Sequence, residues 1–197
     1  MRSQNICLIL KAKHMRITAG SAKNRRLISP ENDSVRPASD KVRQAVFNIL
    51  QSYGLPVDAV VLDLFCGTGA YGLESLSRGA KSCLFVDIDT SYAAENINAL
   101  GFETKSETLR QNATTLRAVN QQKTTPQPAN LIFLDPPYHK NLLTPTLTTL
   151  ISGHWLAHGA ILICESETGQ TLDHSALATK DTRTYGNVQL IFLEYVG

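Results

Sequence analysis

From Val60 onward the chain alternates short apolar runs with amphipathic segments, a pattern that admits few folds other than a parallel sheet covered by helices. Val60–Phe65 reads as the first strand and Ala70–Arg78 as a helix ended by Gly79. Ser82–Asp87 is the second strand, followed by a helix over Ser91–Leu100 that Gly101 stops from the C′ position. Residues 103–108 are expected to form a short third strand, Ala113–Asn120 a short helix, and the polar stretch Gln121–Ala129 a loop. Leu131–Asp135 is the fourth strand, Leu142–Ile151 a helix and Ala160–Glu165 the fifth strand. Thr179–Tyr185 and Val188–Val196 flank Gly186-Asn187 and read as an antiparallel hairpin.

Ahead of this core the spacing predicts a helix from about Asp40 to Tyr53, with Ser39 as its N-cap and Val42, Val46, Ile49, Leu50 and Tyr53 on one face. Met15–Ala19 and Arg25–Ser29 read as a small basic hairpin around residues 20–24. Residues 1–14 carry no pattern; either they are a flexible extension or the native start is Met15. A length of 197 residues suits one domain with a small appendage. The expected organisation is therefore an extension (1–14), a basic hairpin and helix packed on the core (15–56), and the α/β domain (57–197).

Charge is distributed unevenly. Residues 1–43 hold ten Lys/Arg against three Asp/Glu, whereas the remainder holds nine against fourteen. A basic arm on an acidic domain is the footprint of a polyanion-binding protein. Lys23, Arg25, Arg26, Arg36 and Arg43 are the candidates for phosphate contacts. Cys7, Cys66, Cys83 and Cys164 are scattered, with no CxxC pair and no histidine at ligand spacing. That argues against a zinc site or a disulfide framework and fits a reducing cytosol, with Cys83 and Cys164 as buried thiols. No apolar run approaches the ~20 residues a membrane helix needs, so a cytoplasmic protein with no membrane partner is expected.

Two segments carry chemistry. Asp63-Leu64-Phe65-Cys66-Gly67-Thr68-Gly69-Ala70-Tyr71-Gly72 follows the first strand and opens a helix. Its glycines permit a tight turn and close backbone approach to a ligand at a helix N-terminus whose N–H groups lack partners. Gly67, Gly69 and Gly72 also satisfy G-x-G-x-x-G, and Asp87 ends the second strand where a carboxylate takes ribose hydroxyls. An adenosine-containing cofactor is implied. Asp63 tips the choice toward S-adenosylmethionine, because a carboxylate receives a cationic amino-acid end and repels a pyrophosphate. The second segment, Asp135-Pro136-Pro137-Tyr138, sits at a strand end and forms a stiff, acceptor-rich loop with a stacking platform. It suits a planar amine: the Asp135 carboxylate and Pro136 carbonyl accept from the –NH₂, and Tyr138 covers the ring. His139 is expected to be solvated, and His154, Trp155 and His158 to be structural.

With these residues in place, the chain resembles the RsmD-type methyltransferases that modify a guanine N2 of bacterial 16S ribosomal RNA. Met15–Gly20, Arg36–Leu50, Asp63–Ala80 and Asp135–Tyr138 are similar to that family's successive motifs, Arg36–Leu50 being the most specific. The resemblance implies a class I S-adenosylmethionine-dependent, Rossmann-like α/β fold with a mostly parallel seven-stranded sheet, its last strand antiparallel. It implies that Asp63, Gly67 and Gly69 hold the methionine part, Asp87 the ribose, and Asn112-Ala113 the adenine. At Asn112 this chain departs from the family's usual aspartate. The implied partner is 16S rRNA within an assembled small subunit, and nothing demands more than a monomer. Residues 1–14 have no counterpart, which favours Met15 as the start. Four rivals stand beside this reading: an adenine methyltransferase acting on DNA or another RNA, a glutamine methyltransferase, a dinucleotide oxidoreductase, and a non-catalytic RNA-binding assembly factor.

Overall fold

The computed structural model describes residues 15–30, 37–122 and 126–197. Arg36 and the segment 1–14 lie outside the described residues. Helix α1 (Pro37–Ser52) precedes β1 (Val60–Leu64), α2 (Ala70–Ser77), β2 (Ser82–Asp87), α3 (Ser91–Leu100) and β3 (Ser106–Arg110). β4 (Ala129–Leu134), α4 (Leu143–Ser152), β5 (Leu156–Glu167), β6 (Leu177–Tyr185) and β7 (Val188–Tyr195) follow. The seven strands form one sheet in the order β3-β2-β1-β4-β5-β7-β6. β1 through β5 pair in parallel, and β7 inserts antiparallel between β5 and β6. The expected seven-stranded, mostly parallel architecture is therefore observed.

Two-residue alternation along the strands sorts side chains onto two buried faces. Val61, Cys83, Phe85, Leu131, Phe133, Ile161, Ile163 and Phe192 pack beneath α1, α2 and α3. Leu62, Leu64, Val86, Ile132, Leu134, Leu162, Cys164 and Ile191 pack against α4. On the first face Tyr71 stacks on Phe133 at 4.8 Å, and Phe47 of α1 approaches Phe133 at 5.8 Å. Gly72 is obligatory here: a Cβ would come within 2.4 Å of the Phe85 ring and 2.5 Å of Cys83 Sγ. Its role is close helix–sheet packing.

Several boundaries differ from the sequence expectation. α1 begins at Pro37, a residue suited to the first helical position because its missing N–H is not needed there; Ser39 thus lies inside the first turn rather than at the N-cap. Glu103–Lys105 is a 3₁₀ turn and the third strand starts at Ser106. The expected helix over 113–120 is instead two 3₁₀ turns, Ala113–Thr115 and Val119–Gln121. Thr149 Oγ1 donates to the Thr114 carbonyl (2.8 Å) and Trp155 Nε1 to the Arg117 carbonyl (3.1 Å), so both acceptors are held by α4 and by Trp155 just ahead of β5. β5 starts at Leu156, four residues earlier than expected, across an irregularity opposite Ala129/Leu131.

The basic hairpin is present. Ile17 N–H donates to the Arg25 carbonyl (3.0 Å) and Leu27 N–H to Met15 (2.9 Å) around an Arg16–Arg26 bridge. It docks on α2 through Glu74, which is completely buried. Glu74 accepts from Thr18 N–H (2.7 Å), Thr18 Oγ1 (2.7 Å) and Ala19 N–H (3.0 Å), and pairs with Arg78 Nε (2.8 Å) and Arg43 Nε (3.6 Å). Gly20 (φ +82°) fits where a Cβ would lie 1.8 Å from the Ser77 carbonyl oxygen. Arg43 is only 2% exposed and also bonds Asp40 (2.9 Å) and the Arg16 carbonyl. The expectation that Arg43 contacts phosphate is corrected: its guanidinium is committed to an internal carboxylate.

Removing one partner of a buried ion pair leaves the other charge uncompensated. Glu74→Ala is expected to destabilise the fold by about 3–5 kcal/mol, read as a lower urea midpoint in equilibrium unfolding.

Candidate active site

The strand order reverses between β1 and β4, and ligand sites of open α/β sheets form at such a point, outside the carboxyl ends of the strands. A cleft of about 740 Å³ lies there. Asp87, Asn112, Ala113, Asp135, Pro136 and Tyr138 all line it, so six of the sequence-nominated residues converge on one cavity. Asp63, Gly67 and Gly69 are not on its lining and form the layer that shapes it.

β1 delivers the chain into the glycine turn at Phe65, which adopts φ +57°, unusual for a bulky residue, and whose side chain lines the cleft. Gly67 (φ +51°) and Gly69 (φ +78°) complete the reversal into α2. The Asp87 carboxylate accepts from Gly67 N–H (2.9 Å), which ties the end of β2 to the turn. Asp63 is buried and accepts from Gly72 N–H (2.9 Å) at the start of α2. Burial pushes the Asp63 carboxyl up to about 7, the Gly72 bond opposes this, and the neighbouring Asp87 charge adds to it. Asn112 Oδ1 accepts from Thr114 N–H (3.0 Å) and Oγ1 (2.9 Å), so its acceptor serves the local turn.

On the opposite wall, Asp135-Pro136-Pro137-Tyr138 leaves β4 as expected. The Tyr138 hydroxyl donates to Glu165 Oε1 (2.9 Å), and the Tyr71 hydroxyl donates to Glu165 Oε2 (3.1 Å). Burial and the Glu165 charge hold the Tyr71 phenol well above its ordinary range, keeping it a proton donor. Glu165 was not nominated from sequence. The signal that would find it is its place at the C-terminal part of β5, beside the strand that carries Asp135: Leu134 pairs with Cys164. His139 is exposed but meets Glu167 through Nδ1 (2.8 Å).

The arm also reaches the cleft, through Met15 and Ser29. Buried Asn96 of α3 anchors it: Oδ1 accepts from Ile28 N–H (2.7 Å), while Nδ2 donates to the Ile28 carbonyl (2.9 Å) and to the Thr68 carbonyl (3.0 Å) of the glycine turn. Lys23, Arg25 and Arg26 are exposed, with Arg25 donating to the Ala99 carbonyl. Cys66, Cys83 and Cys164 are buried, and burial raises each thiol, Cys164 to about 12. Of the three residues expected to be structural, Trp155 is buried, whereas His154 and His158 are exposed. Among the described residues, no helix is long and apolar enough to cross a membrane.

Sheet order and cleft position define a class I, Rossmann-like methyltransferase fold. The chain belongs to the family described as Conserved hypothetical protein 95, whose model matches residues 15–194, and with it to the RsmD type. It is 35% identical over 153 residues to "Ribosomal RNA small subunit methyltransferase D" of Escherichia coli K12, covering 78% of this chain and 75% of the relative. Its likeness to "Putative rRNA methyltransferase YlbH" of Bacillus subtilis is 31% over 175 residues, covering 85% and 93%. A solved Escherichia coli structure, "Putative methyltransferase yhhF", superposes with TM-score 0.79 at 30% identity, covering 93% of this chain and 98% of that one.

The raised Asp63 carboxyl has a consequence for stability. Its folded value of about 7 lies above the ordinary 3.8, so between those values the folded state binds more proton than the unfolded chain. The stability Asp63 contributes is expected to fall as pH rises from about 4 to about 7 and to level off above. Urea unfolding of wild type and Asp63→Asn across that window checks this: the wild-type-minus-variant difference should slope downward.

Proposed function

We propose that this protein transfers the methyl group of S-adenosylmethionine to the exocyclic N2 amine of a guanine in 16S ribosomal RNA. The observation that carries the reading is the Asp135-Pro136-Pro137-Tyr138 wall facing Asp87 and Ala113 across one cleft, in a chain whose relatives include proteins named for small-subunit rRNA methylation.

The residues fit the cofactor. Asp87 offers a carboxylate to the ribose hydroxyls, and exposed Ile88 gives an apolar surface for the adenine ring. The positive-φ turn at Gly67 and Gly69 lets backbone approach the methionine part, with Asp63 behind it as the counter-charge. Because Asn112 Oδ1 is engaged with Thr114, adenine recognition falls to the Asn112 amide and the Ala113 backbone. When bound, the cofactor would supply an electrophilic sulfonium methyl, which the amine nitrogen would take as the C–S bond breaks, its surplus proton passing to solvent.

The protein's own task is to prepare the amine. The guanine N2 lone pair is delocalised into the ring, and acceptors at Asp135 Oδ and the Pro136 carbonyl favour a pyramidal nitrogen with its lone pair turned outward. They also stabilise the positive charge that develops there. Holding the two reactants in line supplies much of the remaining barrier reduction. Tyr138, fixed by Glu165, stacks on the extruded base. Lys23, Arg25 and Arg26 contact phosphates, and Arg36 joins them in this proposal. The acting form is a cytoplasmic monomer working on the assembled subunit, with residues 15–56 as RNA-facing arm and 57–197 as methyltransferase domain.

The test is incubation with labelled S-adenosylmethionine and small subunits lacking the guanine-N2 modification, followed by mapping of the label. One 16S guanine amine should be labelled; transfer to another atom or to no RNA overturns the reading. Asp135→Ala is expected to lower the single-turnover rate about 100-fold or more while cofactor binding, followed by calorimetry, is retained. Replacing Arg25 or Arg26 by Ala should weaken subunit binding and reduce the salt-dependence slope by about 1 per residue, read from binding titrations at several salt concentrations.

A further inference from the structure

We propose that Glu165 is the residue that selects guanine, by accepting the ring N1–H while the N2 amine lies on Asp135 and Pro136. The inference rests on the guanine-N2 reading above and adds the source of its base specificity. Asp135 and Glu165 lie just past the paired residues Leu134 and Cys164 on neighbouring parallel strands, and both line the cleft. Glu165 is held from two sides: Tyr138 donates to Oε1 at 2.9 Å and Tyr71 to Oε2 at 3.1 Å. Tyr71 is itself locked by stacking on Phe133 at 4.8 Å. The carboxylate is thereby fixed in orientation, and each oxygen has a second lone-pair direction beyond the one its tyrosine takes.

Base chemistry then sorts the substrates. Guanine presents N1–H and N2–H₂ side by side, two adjacent donors for two adjacent acceptors. Adenine offers a donor at N6 but a lone pair at N1, which an acceptor-only carboxylate repels. A wall of Asp135, the Pro136 carbonyl and Glu165 therefore accepts the guanine edge and rejects adenine, although the proline loop alone serves either amine. Glu165 also couples the two halves of the site, because the tyrosine that opens α2 and the tyrosine that covers the base share its oxygens.

The probe is 2-aminopurine, which keeps the 2-amino group and lacks the N1 hydrogen. Small subunits reconstituted with 16S RNA carrying guanine or 2-aminopurine at the methylated position are compared in single-turnover transfer. Wild type is expected to prefer guanine by roughly 10- to 100-fold, the range of one well-made base contact. Glu165→Gln, whose amide can donate to the unprotonated N1, should bring the two rates within about threefold. Tyr138→Phe, which leaves the Glu165 carboxylate, should slow both substrates in parallel and keep the preference. Equal rates for wild type on the two substrates overturn the inference without any variant. A Glu165→Gln protein that slows both by the same factor overturns it too, and makes Glu165 a positioning residue for Tyr138. Failure of wild type on guanine itself instead defeats the reading on which this one stands.

Discussion

A single buried carboxylate organises the N-terminal third of the molecule. Glu74 sits on α2 with no exposure to solvent, and a charge so placed is tolerated only when it is paired and hydrogen-bonded. Its donors come from three directions: the backbone and hydroxyl of the arm, Arg43 of α1, and Arg78 at the C-cap of its own helix. Arg78 also lies 4.6 Å over the Phe47 ring, so charge and aromatic packing fix the same helix pair. Because α2 grows directly out of the glycine turn, the same carboxylate that docks the arm also sets where Met15 and Ser29 stand on the cleft wall.

The site itself is a row of acidic groups near strand ends, each given a different environment. Asp63 is buried and titrates near neutrality, Asp87 is tied to a backbone N–H, and Glu165 is shared by two tyrosines. Such a floor suits cationic and amine-bearing ligands and repels phosphate, whereas the exposed cations Lys23, Arg25 and Arg26 all lie on the arm. The acidic groups and the exposed cations of the arm are thus kept on separate parts of the molecule.

Much of this was legible in the sequence because the signals were local. Strand runs of alternating faces, glycines with positive φ and a proline loop at a strand end each declare themselves within ten residues. What escaped depends on contacts between distant segments. Arg43 reads as one more surface cation in a basic stretch, and only its meeting with Glu74 puts it inside. The region 113–120 has helix-like spacing, but α4 and Trp155 take the carbonyls a helix would use. Glu165 reads in the sequence as the ordinary polar end of an apolar strand, and its nearness to Asp135 appears only once β4 and β5 lie side by side. The engagement of the Asn112 acceptor with Thr114 is likewise invisible in the sequence, since only the folded turn brings the two together.

The insertion of β7 between β5 and β6 has a bearing on how the chain is made. Synthesis proceeds from the N-terminus, so β5 emerges more than twenty residues before the strand that covers its far edge. Until Val188–Tyr195 are available, the backbone of Ile161–Glu167 is an open edge flanked by apolar side chains, a template for pairing with the wrong chain. The nascent protein therefore stays vulnerable until this strand has been made, and a chain that stops inside the hairpin is prone to associate rather than to form a shorter working domain.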